Sequence, residues 1–90
     1  MNKRTLPYRG LLSVLIYPIQ FAESPINDVE RVITDIIPNN GVSTRPHDYI
    51  SAVESAVERD DELSKLIPQP HSEEVIRAYL AEIHRRLRGQ

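Results

Sequence analysis

The chain has 90 residues, 40% of them apolar, with no cysteine and a formal net charge of −2. This length corresponds to one domain, so we expect a single domain, which the patterns below indicate to be helical, over residues 1–90. The absence of cysteine excludes disulfides, a thiolate nucleophile and cysteine-ligated metals, and it is more common in intracellular proteins.

The first apolar stretch, residues 11–22, shows no clean period. A membrane span requires about 20 apolar residues, whereas this run is shorter, contains Pro18 and lacks a signal-peptide cleavage site. We therefore expect no membrane insertion and a cytoplasmic location. The sequence predicts a helix over about 8–21, kinked at Pro18 because proline lacks an N–H donor. A short strand at 11–17 is the alternative.

The second helix has a well-marked start and stop. Ser24 followed by Pro25 is typical of a capping residue and a first helical position. Apolar residues then recur with a helical period, and Pro38 ends the pattern, which predicts a helix over 25–37. The residues expected to face inward are Ile26, Val29, Ile33, Ile36 and Ile37.

Two further helices are predicted in the middle of the chain. Thr44 and Pro46 mark the start of a helix over 46–59, and a short helix is expected at 61–67, ended by Pro68. The inward stripe of the longer helix comprises Tyr49, Ile50, Val53, Ala56 and Val57, and that of the shorter one Leu63, Leu66 and Ile67.

The last helix, 72–87, carries the clearest signal in the chain. Ser72 is a candidate N-cap, and the i, i+4 pairs Glu73–Arg77 and Glu82–Arg86 have the favourable order. One face holds Ile76, Tyr79, Leu80, Ile83 and Leu87. Together these patterns predict an all-α fold, a compact small bundle of four to five helices (approximately 8–21, 25–37, 46–59, 61–67 and 72–87).

Residue types that perform catalysis do not form a recognisable arrangement. The chain has only three glycines, so no phosphate-binding loop is expected. The three histidines, His47, His71 and His84, lack metal-ligand spacing. Acid pairs such as Glu54 and Glu58 lie on the polar side of their helix, where solvation keeps them from acid–base work. We expect no enzyme activity, no cofactor and no metal.

Charge is unevenly distributed along the chain. Residues 48–74 contain eight acidic and two basic residues, a balance of −6. Acidic side chains repeated at i+4 repel each other by a few tenths of a kcal/mol, so the pattern indicates either a solvated face or a surface kept for a cationic partner. The residues expected to contact such a partner are Glu54, Glu58, Asp60, Asp61 and Glu62, with Tyr49 or His71 as an anchor at the margin.

The second half of the chain, about residues 48–87, resembles small immunity proteins of bacterial contact-dependent growth inhibition and related polymorphic toxin systems. The resemblance lies in the acid-rich segment DDELSKLIP and in HSEEVIRAYL at the head of the last helix. It implies a protein that binds and blocks the toxin domain delivered by a neighbouring cell. Such toxins are often nucleases with basic active sites, which an acidic surface could cover.

Three functional hypotheses follow. The first is an immunity protein that neutralises a basic cognate toxin, without contacting nucleic acid itself. The second is a helical adaptor or regulator that forms a homodimer through residues 11–21, if these are too apolar for so small an interior. The third and weakest is a DNA-binding regulator that uses the basic last turn, whose arginines are otherwise explained by the helix dipole.

Overall fold

The computed structural model describes residues 9–41, 45–59, 63–66 and 69–89, which contain helices and no strand. Helix α1 is Arg9–Ile16, continued by a 3₁₀ turn at Tyr17–Ile19. Helix α2 is a composite over residues 25–39, α3 is Pro46–Arg59, and α4 is Glu73–Arg88. A 3₁₀ turn at Leu63–Lys65 lies between α3 and α4. The all-α prediction is confirmed.

The first apolar segment is helical, so the alternative of a strand at 11–17 is wrong. The α-helix ends at Ile16, and the backbone tightens into the 3₁₀ turn that contains Pro18. Proline lacks the N–H that would continue the α-helical bonds, which explains why the change of winding occurs here. The N–H of Gln20 then bonds the carbonyl of Tyr17 at 3.2 Å.

Helix α2 winds irregularly. It starts as a 3₁₀ turn, Pro25–Asp28, continues as α-helix over Val29–Arg31, widens to a π turn over Val32–Ile36 and ends as Ile37–Asn39. The predicted start is confirmed, but the end lies two residues later than predicted. A proline ring clashes with the carbonyl four residues earlier in a regular α-helix, and for Pro38 that residue is Thr34, which lies within the π turn.

Two details of α2 correct the sequence prediction. The Ser24 side chain makes no capping bond, and its backbone carbonyl instead accepts a bond of 3.0 Å from the N–H of Asn27. Ile26, predicted to face inward, is 45% exposed. A 3₁₀ turn advances 120° per residue rather than 100°, so the α-helical projection misplaces residues in this first turn.

The buried apolar residues of all four helices form one cluster. On α3 the inward face differs from the predicted one, because Ala52 is fully buried whereas Val57 is 50% exposed and Ile50 only partly buried. The face is therefore rotated towards Ala52 and away from Val57, by roughly 50° around the helix axis. The members of the cluster are Leu12, Leu15, Ile16, Ile19, Val29, Val32, Ile33, Ile37, Tyr49, Ala52, Val53, Ala56, Leu63, Ile76, Tyr79, Leu80, Ile83 and Leu87.

Helix α4 matches its prediction closely and contacts each of the other elements that form the core. All five residues of its predicted stripe are buried. The Ser72 hydroxyl accepts a bond of 3.2 Å from the N–H of Val75, which confirms the N-cap. The Glu73 carboxylate bonds Arg77 at 2.8 Å and also accepts the N–H of Leu63 at 3.0 Å, so it ties the preceding 3₁₀ turn to α4.

The predicted helix over 61–67 is described only in part. Leu63–Lys65 form a 3₁₀ turn, with Leu63 fully buried and Leu66 half-buried, whereas Ile67 lies outside the described residues. In the ranges that the structure describes, no helix has both the length and the apolar character needed to cross a bilayer.

Candidate functional site

A groove of about 400 Å³ lies between α3 and α4. Its lining combines two carboxylates with small and branched apolar side chains. Val53 is almost fully buried within it, whereas Val57 is half-exposed and Ala81 exposed. The lining residues are Val53, Glu54, Val57, Glu58, Ala81 and His84.

Glu54 and His84 join the two helices across this groove. The Glu54 Oε2 and the His84 Nε2 are 2.8 Å apart. Because an ionised carboxylate can only accept, the imidazole must carry its proton on Nε2 and donate it. This bond is the main cause of the lowered pKa of Glu54, and the positive charges of His84, Arg88 and His47 lower it further.

Glu58 lies one helical turn after Glu54, in a more open environment. Its side chain is exposed and forms no ion pair with any residue of the described ranges. Val57, beside it, is half-exposed. The groove thus places a carboxylate with unused hydrogen-bonding capacity next to accessible apolar surface.

The predicted site residues are separated by the structure. Glu54 and Glu58 come together on the groove, while Asp60, Asp61 and Glu62 lie outside the described residues. Tyr49 does not lie at the margin of an acidic surface, because it is fully buried, and its hydroxyl accepts a bond of 2.7 Å from the Asn40 amide. Its predicted role as an anchor for a partner conflicts with this burial, whereas its predicted place on the inward stripe of the helix is confirmed.

His71 is half-buried in the segment that leads into α4. Its Nε2 lies 2.9 Å from the carbonyl oxygen of Ile19, to which it donates. The imidazole therefore joins the end of the first helical segment to the start of the last one. Its role as an anchor for a partner stays a prediction.

Sequence reasoning missed four groove residues, namely Val53 and Val57 on α3 and Ala81 and His84 on α4. Each helix does carry a local signal, since Ala81 and His84 are three residues apart and Val57 lies next to Glu58. The sequence does not show that α3 packs against α4, and only this packing brings the groove residues of the two helices together.

A second surface is apolar and lies at the end of α1. Phe21 is 94% exposed and Tyr17 64% exposed. They border a groove of about 530 Å³, lined by Val14, Tyr17, Pro18, Gln20, Phe21, Arg31, Ile36 and Asn40. Adjacent exposed aromatic side chains are characteristic of interaction surfaces.

The basic end of α4 is largely engaged within its own helix. The Glu82 carboxylate bonds Arg86 at 3.0 Å and also contacts the Arg85 guanidinium. The two arginines lower the pKa of Glu82 to about 2. These pairs give the Arg85 and Arg86 guanidinium groups a partner within the helix itself.

In the part of the chain that is described, no three His, Asp or Glu side chains come together as a candidate metal site. Comparison of the chain with protein-family models, curated proteins and solved structures finds no match.

Proposed function

We propose that this protein is an immunity protein that binds and neutralises a cognate toxin domain with a basic, nuclease-type active site. The observation that carries the proposal is the α3–α4 groove, where Glu54 and Glu58 flank accessible Val57 and Ala81. The resemblance of residues 48–87 to immunity proteins supports the same direction.

The chemistry of this surface suits a cationic protein partner. Stable interfaces combine an apolar centre, which excludes water, with a polar rim that fixes orientation. Carboxylates on the rim steer association with a basic surface and raise the on-rate, an effect that salt screens. Neutralisation then results from steric occlusion of the toxin active site.

The test begins with the C-terminal domain of the protein encoded beside this chain. Co-expression of the two should relieve the growth arrest that the toxin domain causes alone. Stopped-flow association should then show an on-rate that falls about tenfold in the Glu58→Lys, Asp61→Lys variant at low salt, with a smaller dependence on ionic strength.

Glu23→Lys is a control with the same kind of charge change, because Glu23 is exposed in the loop between α1 and α2. It should leave the on-rate within about twofold of the original protein. An unchanged on-rate and salt dependence in the double variant would remove the acidic surface from the mechanism.

The exposure of Phe21 and Tyr17 favours a second candidate, a homodimeric helical adaptor. Burial of a phenylalanine is worth about 1.5 to 3 kcal/mol, so exposing one almost entirely is unfavourable unless a partner covers it. Sedimentation equilibrium decides between the two. A dimer in the original protein that Phe21→Ser converts to a monomer would support the adaptor, whereas a monomer at high concentration would eliminate it.

A further inference from the structure

We propose that the α3–α4 groove receives one arginine side chain of the partner. Its methylene stem packs on Val57 and Ala81, and its guanidinium group binds the Glu58 carboxylate. This inference rests on the proposed function in one respect, namely that the arginine belongs to a basic toxin domain.

The apolar lining fits the stem of a long side chain. Val57 is half-exposed, Ala81 is exposed, and Val53 closes the groove beneath them at 2% exposure. Arginine and lysine bury their methylene groups along such surfaces while the charged group stays at the edge. The volume of about 400 Å³ is near the lower end of the range for small-ligand pockets, which accommodates a side chain rather than a helix.

The two carboxylates of the groove determine which charge the end of that side chain carries. Glu54 already accepts a bond from His84, whereas Glu58 makes no ion pair with the described residues. An apolar occupant would cover the Glu58 carboxylate without pairing it, which is unfavourable. An anionic occupant would be repelled by both carboxylates. A cationic donor suits the groove best, because it pairs the Glu58 carboxylate and is attracted by the negative charge, whereas a neutral donor gains only the hydrogen bond.

Arginine fits better than lysine. Its planar guanidinium donates two parallel hydrogen bonds to one carboxylate, and it is less strongly hydrated than an ammonium group. Both properties matter at Glu58, which forms no ion pair within the described ranges, while Glu54 is held by His84. A lysine would form one bond and would lose more hydration.

The experiment uses the full chain and a probe of defined chemistry. The probe is the blocked tripeptide acetyl-Gly-Arg-Gly-amide, and its matched control carries neutral, isosteric citrulline in place of arginine. Titration followed by ¹H–¹⁵N NMR should give saturable shifts at Val57, Glu58 and Ala81. The citrulline peptide should bind about two- to fivefold more weakly, the range expected for one exposed ion pair.

Two pairs of variants locate the binding. Glu58→Gln should weaken the arginine peptide to the level of the citrulline peptide, and Glu74→Gln, an exposed change on α4, should not. Ala81→Lys should abolish the shifts by placing a cation in the groove, whereas Ala78→Lys adds the same charge to an exposed position outside its lining.

Three results would overturn the inference. The first is shifts spread evenly over exposed acids such as Glu23 and Glu74, and the second is equal binding of the arginine and citrulline peptides. The third is a change of the groove signals with protein concentration alone, which would assign the groove to a second copy of the chain. The peptide titration contains no toxin, so a negative result would refute the arginine site only. The immunity function is tested separately by the co-expression and association experiments.

Discussion

The hydroxyl of Tyr79 donates a hydrogen bond of 2.6 Å to the backbone carbonyl of Leu15, across 64 positions of the sequence. Both residues are fully buried. The bond joins the centre of α4 to the end of α1, where the change of winding before Pro18 alters the backbone bonding. Burial raises the pKa of the Tyr79 phenol well above its ordinary value, so the group stays protonated and remains a donor.

Replacing Tyr79 with phenylalanine keeps the ring and removes only this donor. The Leu15 carbonyl then loses a buried partner, and we expect the free energy of unfolding to fall by about 1 to 3 kcal/mol. Urea denaturation measures the change. Tyr17→Phe is the matched control, since Tyr17 is 64% exposed, and should stay within about 0.5 kcal/mol of the original protein. Equal effects of the two substitutions would contradict the role of the bond.

Much of the fold could be predicted because its signals are local. The apolar period of α4 and the Ser72 cap lie within one segment, and both are confirmed. The errors arise where winding departs from the α-helix, as at Ile26 in a 3₁₀ turn. Pro25 and Pro38 indicate where the winding can change, but they do not specify whether a 3₁₀, an α-helical or a π turn results.

Only the acidic residues of the candidate site could be predicted from the sequence. Glu54 and Glu58 follow from their spacing along α3, but their groove partners Ala81 and His84 come from a helix about 25 residues later. The sequence places Tyr49 both on the inward stripe and at the margin of the acidic surface, because a tyrosine has an apolar ring and a polar hydroxyl and therefore fits either a core or a surface position. Its bond to Asn40 reveals which applies, and that contact depends on how α2 meets α3.

Asn40 links the end of α2 to α3 and should be important for stability. Its side-chain amide donates to the carbonyl of Ile37 at 2.6 Å and to the hydroxyl of Tyr49 at 2.7 Å. It also donates to the carbonyl of Ile36 at 3.3 Å. Asn40→Ala removes these bonds, and we expect a loss of about 1 to 3 kcal/mol in the free energy of unfolding. Asn39→Ala removes one bond at an exposed position and should cost less, about 1 kcal/mol or below. Thermal or urea unfolding gives both values, and the reverse order would refute the link.

Glu82 should contribute to stability in mildly acidic solution. Its pKa is lowered from 4.5 to about 2 by bonds from Arg85 and Arg86. A carboxyl group with a lower pKa in the folded state stabilises the protein above its unfolded pKa, and this contribution declines as the pH falls from about 4.5 towards 2. Glu82→Gln should therefore flatten the pH dependence of the urea midpoint in that interval. Glu74→Gln, which alters an exposed carboxylate on the same helix, should retain the original slope.

The bond between His84 and Glu54 should be visible in the titration of Glu54. It is the main cause of the lowered pKa of this carboxyl group, ahead of the charges on Arg88 and His47. His84→Ala should therefore raise the pKa of Glu54 towards its ordinary value of 4.5, without restoring it fully because two cations remain. His47→Ala removes a smaller effect and should produce a smaller rise. Carboxyl ¹³C NMR from about pH 7 to 2.5 measures both.

The bond between His84 and Glu54 stabilises the fold above about pH 4.5, and this contribution is lost as the pH falls through the lowered pKa of Glu54. A larger rise in His47→Ala than in His84→Ala would show that Glu54 is governed by the surrounding charge rather than by its hydrogen bond across the groove.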